Sequence, residues 1–147
     1  MPRVTQIAWP TAWTVIGLAL NLAAAGVPID VVAVVSAKST VTVLSKNQVA
    51  DIFLGKTTRF PNGSPAVPID QAETSAVREA FYEQFTGKSA AQMRAHWSKI
   101  IFTGRGKPPK AVANNIVART LIAASPQTIG YIERASVDGS VKILQQP

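Results

Sequence analysis

The chain has no cysteine, a single histidine, and only 8 acidic residues against 15 lysines and arginines among its 147 positions. Without cysteine there is no disulfide, no thiolate nucleophile and no lipid-anchored lipoprotein, because acylation needs a cysteine at the cleavage point. The one histidine, His96, has no cysteine and no paired carboxylate beside it, which removes the usual acid–base and nucleophilic partnerships. Scattered acids provide no metal-ligand spacing such as HExxH, so no catalytic residue, metal or cofactor is expected. Repeats and low-complexity tracts are also missing. What the chain does have is an excess of positive charge, which favours anions and, less selectively, nucleic acid or acidic membranes. Nucleic acid is set aside as a partner, because no zinc-finger or RNP pattern occurs and the charges read as scattered.

The first residues bear on compartment. Arg3 supplies a positive charge, Trp13 to Leu22 is almost wholly apolar, and Ala23-Ala24-Ala25 offers the small residues that signal peptidase requires. Residues 1–26 are therefore expected to be a cleaved Sec signal peptide, with residues 27–147 as a free periplasmic domain. An uncleaved membrane anchor is the alternative, since Ile7 to Ala25 approaches the ~20 residues that span a bilayer. Pro10 and Asn21 interrupt that run, and no basic residue follows until Lys38. The remaining stretch of roughly 120 residues can bury one core and not two.

Along it, strand and helix patterns alternate. Ile29 to Val35 is a nearly continuous β-branched run, as expected of a strand buried on both faces. Ser45 caps a helix predicted over Lys46 to Leu54, stopped by Gly55. Pro61-Asn62-Gly63 marks a turn before a strand at Ala66 to Ile69. Thr74 or Ser75 caps a helix to about Phe85, and Ser89 caps another through about Lys99. From Ile100 the sequence is apolar and then abruptly a Gly/Pro loop, Thr103 to Pro109, which is read as leaving the core. A last helix is predicted from about Lys110 to Ala124, and short strands at Thr128 to Ile132 and Ser140 to Leu144 flank an Asp138-Gly139 turn. Trp97, Phe102, Phe53 and Tyr131 are assigned to the core, with Trp97 as its largest contributor. The fold class is α/β, a central sheet flanked by helices.

Two segments carry a family resemblance: Gln48-Val49-Ala50-Asp51-Ile52-Phe53-Leu54-Gly55-Lys56 and Ile129-Gly130-Tyr131-Ile132. Together they resemble the phosphate-type periplasmic substrate-binding proteins of ABC transporters, over roughly residues 31 to 144. The resemblance implies a single lobe of a type II periplasmic-binding-protein-like fold. In that family a stretch R-S-D-G-S-G-T-T passes from a strand end into a helix N-terminus and holds an oxyanion. Backbone N–H groups, the helix dipole, hydroxyls and an arginine form the shell. Laid on Asp70 to Phe81 without a gap, the Arg position is Gln71, the Asp position Glu73, the second Ser is Ser75 and the first Thr is Val77. One hydroxyl and the helix start survive, and Arg78, one position later, replaces the lost guanidinium only if it faces the site.

Ser75, with the backbone at Thr74, Ala76 and Val77, is thus the leading anion-contact candidate, and an ordinary helix cap is the competing reading of Ser75. Ser39 and Thr40, in the polar loop after the first strand, are further candidates. Internal hydrogen bonding of that loop is the alternative. Arg105, Lys107 and Lys110 form the densest basic group, read either as an anion-binding nest or as a solvated loop. The expected function is noncatalytic binding of phosphate or a related anion in ABC-type uptake. The alternative is an envelope interaction protein on a degenerate scaffold. Its partners would be an ABC permease, another envelope protein, or a second copy forming a homodimer.

Overall fold

The computed structural model describes residues 26–147, so the expected leader lies outside the described residues except for Gly26. It opens with strand β1 (Val31–Ser36), buried at all six positions. Helix α1 (Lys46–Phe53) follows, opened by a capping box in which Ser45 and Gln48 each bond the other's backbone. Then come β2 (Val67–Gln71), α2 (Ala76–Thr86), α3 (Ala90–Phe102), β3 (Lys110–Val112), α4 (Asn115–Ala124), β4 (Thr128–Glu133) and β5 (Val141–Ile143). The sheet order is β3-β2-β4-β1-β5. Strand β2 runs parallel to both β3 and β4, whereas β1 is antiparallel to β4 and to β5.

Helices cover both faces, which is why β1 and β4 read as unbroken apolar runs rather than alternating ones. On one face α1, α2 and α3 bury Phe53, Phe81, Met93 and Trp97 against Ala33, Ile129 and Tyr131. The Phe81 and Tyr131 rings stack at 3.9 Å. On the other face α4 sets Ala118 and Ile122 against Val32, Ile69 and Ile132. Its close approach depends on Gly130, where a Cβ would lie 2.4 Å from Ile122 Cδ1. None of the described helices is long and apolar enough to cross a membrane.

Three expectations need correction. Lys110 does not begin a helix: Lys110–Val112 is β3, paired with Ile69–Gln71, and α4 starts only after Asn114 caps the N–H groups of Ile116 and Val117. Pro108-Pro109 holds the chain extended on entry, and the open edge of β2 then provides backbone partners that outweigh helix propensity. Helix α3 continues through Ile100 and Ile101 to Phe102 instead of stopping at Lys99. It ends in a Schellman turn, with Gly104 N bonded to Ile101 O and Arg105 N to Ile100 O, and Gly104 at φ +66. Phe102 is not core: it is 92% exposed, because Met93 and Trp97 define the buried stripe of α3 and Phe102 falls off it. Phe53, Tyr131 and Trp97 are buried as expected.

Candidate functional site

The parallel strands β2 and β3 run toward one edge of the sheet, where α2 and α4 begin. In α/β sheets, ligands bind in the crevice outside the carboxyl ends of strands, where connections diverge to either side. Here β2 is that point, since β3 lies on one side of it and β4 on the other.

Gln71, the last residue of β2, is 2% exposed and fully engaged. Its Nε2 donates to Asn115 Oδ1 (2.9 Å) and Tyr131 O (3.1 Å), and its Oε1 accepts from Ser75 Oγ (3.2 Å). Asn115 Nδ2 donates in turn to Glu133 Oε2 at 2.6 Å. A chain of neutral amides thus links the starts of α2 and α4 to the end of β4, at the position where the family motif would carry an arginine.

Ser75 is the N-cap of α2. Its Oγ accepts from Arg78 N at 3.3 Å while donating to Gln71, so both readings of this residue meet in one atom. The N–H groups of Ala76 and Val77 have no partner among the described residues, and Ala76 and Thr74 are exposed. Two donors at the positive end of an eleven-residue helix, at exposed Ala76 and half-buried Val77, are therefore left without a partner, with exposed Thr74 just before the cap.

Arg78 does not join them. It is 6% exposed and turned inward, with Nε 3.2 Å from Asp70 Oδ2 and its guanidinium 4.8 Å from the centre of the Tyr82 ring. Asp70, 3% exposed, also accepts from Tyr82 OH (2.8 Å), Tyr131 OH and Gln71 N (2.8 Å). Burial, the largest single influence, pulls the Arg78 pKa down, but the Asp70 charge and hydrogen bond together with the neighbouring Tyr82 and Tyr131 raise it overall. Burial first, then the neighbouring carboxylate, push both tyrosine hydroxyls far above their ordinary range. A carboxylate whose acceptor positions are filled by an arginine, a backbone N–H and two protonated phenols is a structural anchor with no base to offer. Sequence reasoning missed it. Ser75, Arg78 and Tyr82 lie on one helix face at spacings of three and four, the only local sign that Arg78 points at the sheet.

Ser39 and Thr40 are not brought to this edge. Because β1 is antiparallel to β4, its end at Ser36 sits level with Thr128 and Val67, the start of β2. The loop therefore lies at the opposite pole from Ser75, roughly 13 Å away along the strands. There Ser39 Oγ accepts from Val41 N (3.2 Å), Lys142 Nζ reaches Ser39 O, and Asn62 Nδ2 bonds Thr40 Oγ1 (3.4 Å). At the same pole a groove of about 490 Å³ is lined by Trp97, Pro68, Arg105, Lys107, Pro108 and Lys110, among others. His96 contacts Leu54 O through Nε2 at 2.9 Å. Among the described residues no group of three or more His, Cys, Asp or Glu is placed to hold a metal ion.

The fold is that of one lobe of a phosphate-type ABC transporter substrate-binding protein. Solved structures that share it include a protein from Clostridium perfringens described as a phosphate ABC transporter substrate-binding protein, with bound phosphate. It is 20% identical, with a TM-score of 0.65, over 80% of this chain and 45% of that one. An ABC-type phosphate transport receptor from Vibrio cholerae is 22% identical, with a TM-score of 0.62, over 80% and 46%. A protein from Planctomyces limnophilus described as phosphate binding is 13% identical, with a TM-score of 0.60, over 81% and 42%. The chain spans less than half the length of each. None of the three is described as an enzyme. No family model and no curated protein matches the sequence.

Proposed function

We propose that the protein is a noncatalytic binding lobe that takes a small oxyanion, phosphate or a relative, at the start of α2, in the periplasm and in association with ABC-type uptake. The observation that carries this reading is the unpartnered pair of N–H groups at Ala76 and Val77 among the described residues, set at the start of α2 beyond the carboxyl end of β2, with exposed Thr74 two residues before Ala76. Unpaired amides at a helix N-terminus suit an oxyanion by direction and by charge. The shared fold with proteins described as phosphate binding supports the choice of anion. Ser75 contributes by holding the turn, and Arg78 by anchoring α2 to β2. A lobe with two amides and no free guanidinium holds phosphate weakly by itself, so the opposing half of the shell comes from a facing body: a second lobe, a second copy or a permease.

The test is isothermal titration calorimetry with phosphate and sulfate on the protein and on Ala76→Pro. Proline is accepted at the first helical position, and Ser75, at φ −73 and ψ 124, already has the conformation that a following proline needs. The variant deletes one N–H and keeps the helix. Phosphate affinity is expected to fall roughly three- to tenfold with little change in melting temperature. No heat with either anion at millimolar concentration sinks the reading. The second reading, an envelope interaction protein without a small ligand, is favoured by one observation: Gln71 fills the arginine position with a side chain already satisfied inside the protein.

A further inference from the structure

The pole opposite α2's start carries an arrangement that the oxyanion reading does not use. Between Glu83 and Glu133 the sequence has no acidic residue and seven lysines and arginines, from Lys88 to Arg119. The charges are therefore segregated rather than scattered. Within that stretch, residues 101–108 are exposed without interruption and form a tip at the end of α3. Phe102 is 92% exposed and Ile101 55%. Lys99 is exposed one turn before Phe102 on the same side of α3, and Arg105, Lys107 and Lys110 surround the groove beside it, whose lining includes no Asp or Glu. None of these four cations is salt-bridged among the described residues.

The tip is built rather than frayed. The Schellman bonds from Gly104 to Ile101 and from Arg105 to Ile100 tie both sides of Phe102, and Thr103 Oγ1 closes on Lys99 O at 2.9 Å. An exposed aromatic ring on a bonded turn, with cations about it and no acid lining the adjoining groove, has the chemistry of an interfacial anchor. The ring enters the boundary between headgroup and acyl chain while the cations meet anionic headgroups. A protein partner would need complementary cover of about 1,000 Å² or more, whereas a lipid surface needs only the projecting ring and its charges. We infer that the Ile101–Lys110 tip is a contact surface for an anionic lipid bilayer. One ring and four cations give a reversible, salt-sensitive contact, which leaves the opposite pole pointing away from the membrane.

The absence of cysteine permits a direct test on the full chain. A single cysteine at Thr103→Cys carries an environment-sensitive fluorophore, and Glu73→Cys carries it at the far pole as a control. Each is titrated with vesicles of phosphatidylcholine alone or mixed with phosphatidylglycerol. Because each label reports its own surroundings, the comparison stands whatever residues 1–25 contribute. The expected result is a blue shift at position 103 only, with phosphatidylglycerol only, reversed by high salt. Arg105→Gln and Lys107→Gln each weaken it about fivefold and together roughly 30-fold. Phe102→Ser weakens it roughly tenfold. All five substituted side chains, Glu73, Phe102, Thr103, Arg105 and Lys107, are exposed, so an unchanged melting temperature shows that the variants fold. No shift at 103 with anionic vesicles, or binding untouched by the double Gln variant, overturns the inference. A shift that grows with protein concentration in the absence of vesicles also overturns it, in favour of a protein contact. The Phe102, Arg105 and Lys107 substitutions that weaken binding lie at the pole opposite Ala76, so this test and the phosphate titration fail independently.

Discussion

Both tyrosines of the chain, Tyr82 and Tyr131, are buried against the Asp70 carboxylate, which makes alkaline pH a direct probe of the core. Burial and the adjacent negative charge oppose phenolate formation, so each folded hydroxyl keeps its proton well above the ordinary value of about 10, at which the unfolded chain releases it. Above that pH the unfolded state binds fewer protons than the folded one. Stability is fully present below about pH 10 and falls as the pH rises beyond it. Each tyrosine contributes a slope of about 1.4 kcal/mol per pH unit, so the pair removes about 5 kcal/mol between about pH 10 and 12. That is comparable to the whole stability of a modest domain, ~5–15 kcal/mol. The assay follows tyrosinate absorbance and far-ultraviolet circular dichroism together through an alkaline titration. Absorbance should stay flat where free tyrosine ionises, then rise in one step as the dichroism collapses. A tyrosinate rise centred near pH 10 with the dichroism intact would refute the reasoning, because the rings would then be reachable by water in the folded state.

Two substitutions probe the packing around the same strands. Arg78→Leu leaves the buried Asp70 charge without its cation and should cost about 3–5 kcal/mol. At about 4 °C per kcal/mol for a domain of this size, thermal unfolding should show a drop of roughly 12–20 °C. Adding Asp70→Asn, which removes the charge, keeps one acceptor oxygen and turns the other into an amide donor that a tyrosine hydroxyl can accept, should recover much of that loss, and a double variant no better than the single one would contradict the ion-pair account. Gly130→Ala drives a methyl group into Ile122 and should cost about 1–3 kcal/mol, read as a shift in the denaturant midpoint with an unchanged slope. Pairing it with Ile122→Val, which opens space at that contact, should soften the effect.

Much of the architecture was legible because its signals are local. The β-branched run at Val31–Val35, the Ser45 and Ser89 caps and the Pro61-Asn62-Gly63 turn each act within a few residues. Strand β3 was not legible, since three residues after two prolines hold no period, and only the free edge of β2 makes them a strand. Phe102 was misplaced by composition. Ile100-Ile101-Phe102 looks like core as a run, yet continuing the helical stripe from Met93 through Trp97 leaves Phe102 off it. The position of Ser39 and Thr40 depends on the direction of β1 relative to β4, a long-range property that no local pattern encodes. At Ser75 the sequence was ambiguous for a physical reason: capping a helix and facing an anion call for the same hydroxyl in the same place.

The amide of Gln71 has a mechanical consequence. Through Ser75 it holds the first turn of α2, through Asn115 the first turn of α4, and through Tyr131 O the strand between them, so one side chain is a crossbar between helices on opposite faces of the sheet. With the crossbar in place, neither helix tip can tilt alone. A load applied at one tip is shared with the other, and the edge of the lobe behaves as a stiff rim rather than as two independent fingers.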